Sequence, residues 1–211
     1  MASHITLLGD SIFDNRRYTS GAPDVVEHLR DLLPRSWRAT LCALDGSTAA
    51  DLADQLAGVS PDSSHVVISV GGNDALLNSD LLATPVTSTT EALALFGDRI
   101  GQFEAVYRSA IDGAVALKRD TTVCTIYNGN LEADVAPLAR VALMMFNDVI
   151  LRVAFELGLR VIDLRLVCTE AADYANPIEP SGSGGRKIAQ AIARSLGGAD
   201  GEIKLASVYT G

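Results

Sequence analysis

Three short polar turns, each directly after an apolar run, contain residue types that could perform acyl-transfer chemistry. Gly9-Asp10-Ser11 follows the first run, and a serine on a strand-to-helix turn can present its hydroxyl as a nucleophile. Asp45-Gly46-Ser47-Thr48 follows the second run, and Gly71-Gly72-Asn73-Asp74 follows the third. The asparagine amide can donate hydrogen bonds to an oxyanion. Each turn alone is also explained as an ordinary helix cap, but three in succession favour a single site.

The elements that must position these turns alternate along the chain. Nearly continuous apolar runs, typical of strands buried on both faces, occupy residues 4–9, 37–43, 65–70, 121–126 and 159–164. Amphipathic stretches typical of helices occupy residues 24–33, 48–57, 93–114, 138–153 and 188–196, although three glycines could interrupt the third. This alternation predicts an α/β fold with a parallel sheet between two helix layers. Functional residues should then follow the carboxyl ends of the strands.

The three turns, in this order and at these strand ends, resemble the SGNH/GDSL hydrolase family. Ser11 matches the serine of its first sequence block, Gly46 the glycine of its second and Asn73 the asparagine of its third. The resemblance covers nearly the whole chain, taken as one domain over residues 1–211. It implies a flavodoxin-like three-layer αβα sandwich with five parallel strands in the order 2-1-3-4-5. It also implies that Ser11 attacks an acyl carbonyl, while the N–H groups of Ser11 and Gly46 and the Asn73 side chain hold the oxyanion.

The motif that precedes the last helix departs from the family pattern. Members usually carry Asp-x-x-His-Pro, whereas this chain has Asn-Pro-Ile-Glu-Pro, with Asn176 and Glu179 at the Asp and His positions. The chain has three histidines, His4, His28 and His65, and their places in the pattern indicate structural roles. Glu179 is therefore the candidate base, provided that an apolar cleft raises its pKa. The alternative is a solvated loop residue in a protein that has lost catalysis.

Other carboxylates near the end of the chain are alternative bases. Glu170 and Asp173 precede Glu179, and Asp163 ends the fifth predicted strand. Asn176 could orient Glu179 by hydrogen bonding, because its amide is uncharged and cannot pair ionically with a base.

Further segments are predicted to surround the cleft. Residues 127–130 follow the fourth strand and should form part of its wall, and residues 14–18 could form a polar rim. Residues 181–187 superficially resemble a phosphate loop but lack its spacing, which predicts a flexible lead-in to the last helix. The tail after residue 197 is predicted to be an edge strand or an ordered arm.

Composition and charge exclude several classes of partner. A net charge of -9 argues against nucleic-acid partners and anionic membrane surfaces. No apolar run approaches the length of a membrane span, and the first residues lack the features of a signal peptide. Three cysteines without close pairing indicate reduced thiols and predict a cytoplasmic location. No cluster has metal-ligand spacing, so neither a metal nor an organic cofactor is expected; the oligomeric state cannot be predicted.

The leading hypothesis is a serine esterase or deacylase that hydrolyses a small ester, O-acetyl or thioester bond. Ser11 would be the nucleophile, Gly46 and Asn73 would hold the oxyanion, and Glu179 would replace the histidine base. Two alternatives stay open: a catalytically degenerate binding protein on the same scaffold, and an acyltransferase with the same site. A flavodoxin-like electron carrier is disfavoured because no aromatic pair flanks the cleft turns.

Overall fold

A central sheet of five strands organises the chain in the computed structural model, which describes residues 3–197 and residue 208. The strands are β1 (His4–Gly9), β2 (Arg38–Leu41), β3 (His65–Ser69), β4 (Asp120–Cys124) and β5 (Arg160–Ile162). Every pairing is parallel, and the order is β2-β1-β3-β4-β5. The predicted strand order is therefore confirmed.

Within the described residues, six α-helices cover the two faces of the sheet, as predicted for a three-layer α/β fold. They are α1 (Val25–Leu32), α2 (Leu52–Ala57), α3 (Gly72–Leu77), α4 (Thr89–Ala116), α5 (Ala136–Glu156) and α6 (Gly182–Ser195). Helices α1 and α6 share one apolar cluster with strand residues such as Leu7 and Val67, whereas α2, α4 and α5 share another with Leu8 and Ile68. Successive strand residues thus enter opposite cores, which explains the continuous apolar runs. No helix within residues 3–197 combines the length and hydropathy that crossing a bilayer requires.

Helix α4 is continuous over 28 residues despite its internal glycines. A Cβ at Gly97 or Gly101 would meet no atom within 4 Å, so both glycines face open space. Phe103, Tyr107 and Ile111 recur at helical spacing further along α4 and are buried in the core. Their burial, about 1.5–3 kcal/mol for a large apolar side chain, outweighs the cost of about 1 kcal/mol for each exposed glycine.

Residues 181–187 form the first turns of α6, so the prediction of a flexible lead-in was wrong. Ser181 caps the helix, and its hydroxyl accepts a hydrogen bond from the Gly184 N–H at 3.2 Å. A Cβ at Gly184 would overlap the Asp173 carbonyl oxygen, so this glycine permits close packing rather than motion. Apart from Val208, the predicted strand or arm after residue 197 lies outside the described residues.

Candidate active site

A cavity of about 140 Å³ opens at the carboxyl ends of β1, β3 and β4. Asp10 and Ser11 reach it from the turn after β1, and Asn73 reaches it from the start of α3, after β3. Glu179 reaches it from the loop between β5 and α6. Strand β1 lies between β2 and β3, where the strand order reverses, and open α/β sheets bind ligands at this point.

Ser11 lies on the turn that leaves β1, and only 7% of the residue is exposed. Gly9 forms this turn with φ +128°, and a Cβ there would overlap the Ser69 carbonyl oxygen. Only glycine satisfies both conditions, so β1 can end against β3 and direct Ser11 to the cavity. Within the described part of the chain, the Ser11 backbone N–H has no hydrogen-bond acceptor.

Two further donors lie on the turns after β2 and β3. Gly46 has φ +86°, and none of the described residues accepts a hydrogen bond from its N–H. The Asn73 side-chain amide donates to the Ser47 carbonyl oxygen at 2.9 Å and keeps a second N–H. That bond joins the Gly46 turn to α3, although Gly46 itself does not line the cavity. Each turn therefore supplies an N–H that lacks an acceptor among the described residues, which is the type of donor that an oxyanion requires.

The Gln55 side chain joins the turns after β1 and β2, and sequence reasoning missed it. Its Oε1 accepts a hydrogen bond from the Gly9 N–H at 2.7 Å. Its Nε2 donates to the Gly9 carbonyl oxygen at 2.8 Å and to the Ser47 hydroxyl at 3.1 Å. A glutamine within a helical pattern is ordinary, so nothing in the sequence singles it out. The contacts show that α2 fixes the turn after β1, which carries Ser11, against the Gly46 turn.

Glu179 is held in the cavity wall by a short hydrogen-bonded loop, and 7% of the residue is exposed. Its N–H donates to the Asn176 side-chain oxygen at 2.9 Å, and its carbonyl oxygen accepts from the Ala175 N–H at 2.8 Å. The Tyr127 hydroxyl donates to the neighbouring Ile178 carbonyl oxygen at 2.5 Å. Asn176 therefore orients the backbone of Glu179 rather than its carboxylate.

The Glu179 carboxyl lies beside the Ser11 hydroxyl in a desolvated setting. Burial raises the pKa of Glu179, and the negative charge of Asp45 adds to this rise, while the Ser11 hydroxyl lowers the pKa. The Glu179 Oε2 atom is buried and has no hydrogen-bond partner among the described residues. An unpartnered carboxylate oxygen next to a serine hydroxyl suits a base that takes up a proton during reaction.

Asp10 is a second buried carboxyl in the same cavity, and the sequence interpretation assigned it no role. Burial is the main cause that raises its pKa to about 8; the Ile12 N–H, which donates at 3.0 Å, partly offsets the rise. The negative charges of Glu179 and Asp74 raise it further. Asp10 is thus mainly protonated at pH 7. Because two neighbouring carboxylates disfavour double ionisation, a protonated Asp10 leaves Glu179 free to ionise.

The alternative bases lie away from the cavity. The Asp173 carboxylate forms an ion pair with the Lys187 ammonium group at 2.8 Å. Glu170 is exposed and forms an ion pair with the same lysine at 3.3 Å. Asp163 pairs with Arg165 at 2.6 Å. None of the three carboxylates lines the cavity, so the structure favours Glu179 over them.

The histidines have structural contacts elsewhere. His4 is buried at the amino end of β1, where its Nδ1 lies 3.0 Å from an Asp62 carboxylate oxygen. His65 stacks on Trp37 with ring centroids 5.8 Å apart, and His28 bonds a backbone carbonyl at the start of α6. None lines the cavity, which agrees with the interpretation of the sequence.

The predicted wall segment lines the cavity up to residue 129, whereas none of residues 14–18, the predicted rim, lines it. Arg17 and the Tyr18 hydroxyl both donate to the Asp45 carboxylate at 2.9 Å, and Asp14 accepts the Asp45 N–H at 3.0 Å. These bonds fix the turn that contains Gly46, and residues 127–129 line the cavity. Within the described residues, no three His, Cys, Asp or Glu side chains form a group that could hold a metal ion.

Comparison with known families agrees with this geometry. The model of the GDSL-like Lipase/Acylhydrolase family matches residues 7–186. The chain belongs to this family. No curated protein shows significant sequence similarity to it.

Solved structures share the GDSL-like fold over nearly their whole length. An extracellular lipase from Streptomyces rimosus has a TM-score of 0.63 and 16% identity, covering 92% of this chain and 99% of that one. An acetylxylan esterase from Geobacillus stearothermophilus has a TM-score of 0.67 and 19% identity, covering 92% and 94%. A lipase from a goat rumen metagenome has a TM-score of 0.69 and 16% identity, covering 93% and 98%. At these identities the similarity establishes the fold.

Replacing Gln55 with methionine should misplace the Ser11 turn of this GDSL-like acylhydrolase. We expect kcat for an ester to fall by about ten- to a hundredfold, since a misplacement of about 1 Å can cost this much. KM should stay nearly constant, because Gln55 does not line the cavity. Steady-state kinetics provide the measurement, with Asp54→Ala at the exposed neighbouring position as control. An unchanged kcat in a destabilised Gln55→Met protein would show that the glutamine only supports the fold.

Proposed function

We propose that this GDSL-like acylhydrolase is a serine esterase or deacylase with Ser11 as nucleophile and Glu179 as base. The proposal rests mainly on the buried, unpartnered Oε2 of Glu179 beside the Ser11 hydroxyl in one cavity. A solvated glutamate, with a pKa near 4.3, is a weak base for a hydroxyl, and burial makes Glu179 a stronger base because it raises this pKa.

In the acylation step, Ser11 Oγ attacks the carbonyl carbon and its proton passes to Glu179. The carbonyl oxygen becomes an oxyanion that accepts hydrogen bonds from the N–H groups of Ser11 and Gly46 and from the Asn73 amide. Collapse of this intermediate breaks the bond to the leaving oxygen or sulfur, which takes the proton from Glu179. The alcohol or thiol departs, and the acyl group stays on Ser11.

Deacylation repeats these transfers with water. The water oxygen attacks the acyl carbon while Glu179 takes its proton, and the same three donors hold the second oxyanion. Collapse breaks the bond to Ser11 Oγ, which recovers a proton from Glu179, and the carboxylic acid leaves. Asp10 contributes by staying protonated, since its negative charge would oppose ionisation of Glu179 and development of the oxyanion.

The absence of a histidine from the described cavity wall favours one alternative, a binding protein that retains the scaffold without turnover. Such a protein would bind a small acyl compound in the cavity, and a change at Glu179 would alter affinity alone.

Labelling with a fluorophosphonate probe separates these functions. We expect a stoichiometric adduct on Ser11, because an activated serine displaces fluoride and forms a stable phosphonyl ester. Intact-protein and peptide mass spectrometry locate the adduct, and Ser11→Ala serves as the unreactive control. A folded protein that acquires no adduct at any pH from 6 to 9 would favour the binding protein instead.

A further inference from the structure

The cavity continues past Ser11 into an apolar compartment. We propose that this acyl compartment binds the hydrocarbon chain of a medium-length aliphatic ester or thioester, an inference that rests on the proposed function. It is lined by Leu76, Leu82, Phe96, Ala142, Leu143 and Phe146.

The walls of the acyl compartment discriminate between substrate classes. The two carboxyl side chains of the described cavity wall, Asp10 and Glu179, both belong to the catalytic end. Beyond Asn73, the side chains from α3, α4 and α5 are mostly aliphatic or aromatic. A hydrocarbon chain gains free energy by leaving water for such a surface, whereas sugar hydroxyls would leave their hydration there with few partners.

The size of the cavity also favours a chain longer than acetyl. One water molecule needs roughly 10–15 Å³ of such cavity volume. The observed 140 Å³ therefore exceeds what a two-carbon group fills. Leu76 and Leu82 are exposed as well as cavity-lining, so the compartment opens to solvent through an apolar lip.

The two faces of the sheet separate the acyl side from the leaving-group side. Glu179 directly precedes α6, which packs with α1 on one face. The acyl compartment is built from α3, the segment after it that contains Leu82, α4 and α5, and the last two helices pack on the other face. Because Glu179 must return its proton to the leaving atom, the leaving group lies on its side of Ser11. The acyl chain then extends towards α5.

Ala142 determines how long a chain the acyl compartment accepts. It shares one face of α5 with Ala139, Leu143 and Phe146, as the helical spacing requires, and all four line the cavity. A phenylalanine at residue 142 would project into the space that a chain would occupy. The adjacent Val141 is 59% exposed and does not line the cavity, so the same change there is a matched control.

A series of aryl esters from acetate through butyrate to octanoate tests the inference. For the wild type we expect kcat/KM to rise by about fourfold for each of the first buried methylenes. Ala142→Phe should lower the ratio of kcat/KM for octanoate to kcat/KM for acetate by about tenfold or more. Val141→Phe should follow the wild type throughout, and circular dichroism establishes that each variant is folded.

The outcomes separate this inference from the proposed function. Ser11-dependent hydrolysis that favours acetate, or an Ala142→Phe effect of equal size on all esters, overturns the acyl compartment and leaves the esterase intact. No Ser11-dependent hydrolysis of any ester overturns the esterase. Calorimetric binding of octanoate to the Ser11→Ala protein then decides the compartment. If octanoate binds the Ser11→Ala protein more weakly when Ala142→Phe is added, but not when Val141→Phe is added, the result supports a hydrocarbon-chain site. If octanoate does not bind, or binds all three proteins equally, the site is overturned.

Discussion

Replacement of Ser11 with alanine is expected to lower kcat for a short-chain aryl ester by at least about a thousandfold, the loss that follows removal of a serine nucleophile. The backbone N–H groups and the Asn73 amide remain, so some stabilisation of a water-derived oxyanion persists. KM should change little, because the hydroxyl contributes mainly to the transition state. A continuous assay of aryl alcohol release at pH 8 provides the measurement.

A matched serine controls for loss of a hydroxyl. Ser79 is exposed at the edge of the same cavity, and Ser79→Ala should keep the wild-type kcat. The unfolding midpoint of Ser11→Ala establishes that the variant is folded. Equal rates for the wild type and Ser11→Ala would remove Ser11 from the chemistry.

The strand pattern predicted the fold because strands that are buried on both faces have uninterrupted apolar sequences. Leu7 and Leu8 enter different cores, so the run around them is uninterrupted and apolar. Helix boundaries were less predictable. Gly97 and Gly101 suggested a break in α4, but tertiary burial of the large apolar side chains of the same helix overrides local preference. Likewise, Gly184 suggested a flexible segment, whereas its lack of a side chain is needed for contact with Asp173.

The candidate site was predictable where a residue type is unusual after a strand, as for Ser11 and Asn73. Gln55 and Asp10 act through three-dimensional contacts that have no sequence signature. Gln55 joins two turns separated by more than thirty residues of chain, and the protonation of Asp10 depends on its complete burial. Burial also determines whether Glu179 can serve as a base, and its flanking residues alone do not reveal it.

Glu179→Gln is expected to lower kcat by about a hundred- to ten-thousandfold, the usual contribution of a general base. The amide is nearly the same shape but cannot take the Ser11 proton. In the wild type, kcat/KM should fall as the pH drops through the pKa of Glu179, which burial raises above its ordinary value of 4.5, because only the ionised carboxylate is active. A profile from pH 5 to 10 measures this limb, and Glu179→Gln should lack it.

The same substitution changes how stability depends on pH. Because the pKa of Glu179 is higher in the folded protein, its contribution favours folding at low pH and is lost as the pH rises through the folded value. The free energy of unfolding of Glu179→Gln should therefore increase relative to the wild type as the pH rises from about 4 to 7. If the free energies of unfolding of the two proteins change in parallel over that range, Glu179 titrates as a solvated residue. The burial of Glu179 argues against this outcome.

Restoring the family pattern provides the complementary measurement. The double variant Asn176→Asp/Glu179→His introduces an imidazole whose ordinary pKa near 6.5 makes it a better base than a solvated carboxylate. The new carboxylate at residue 176 can still accept the backbone N–H groups that Asn176 now binds, so the loop should keep its conformation. We expect this variant to recover at least about a tenth of wild-type kcat, far above Glu179→Gln. The contradicting outcome is a fully active Glu179→Ala protein, while Glu179→Gln and the double variant are both inactive. It would show that the base lies elsewhere.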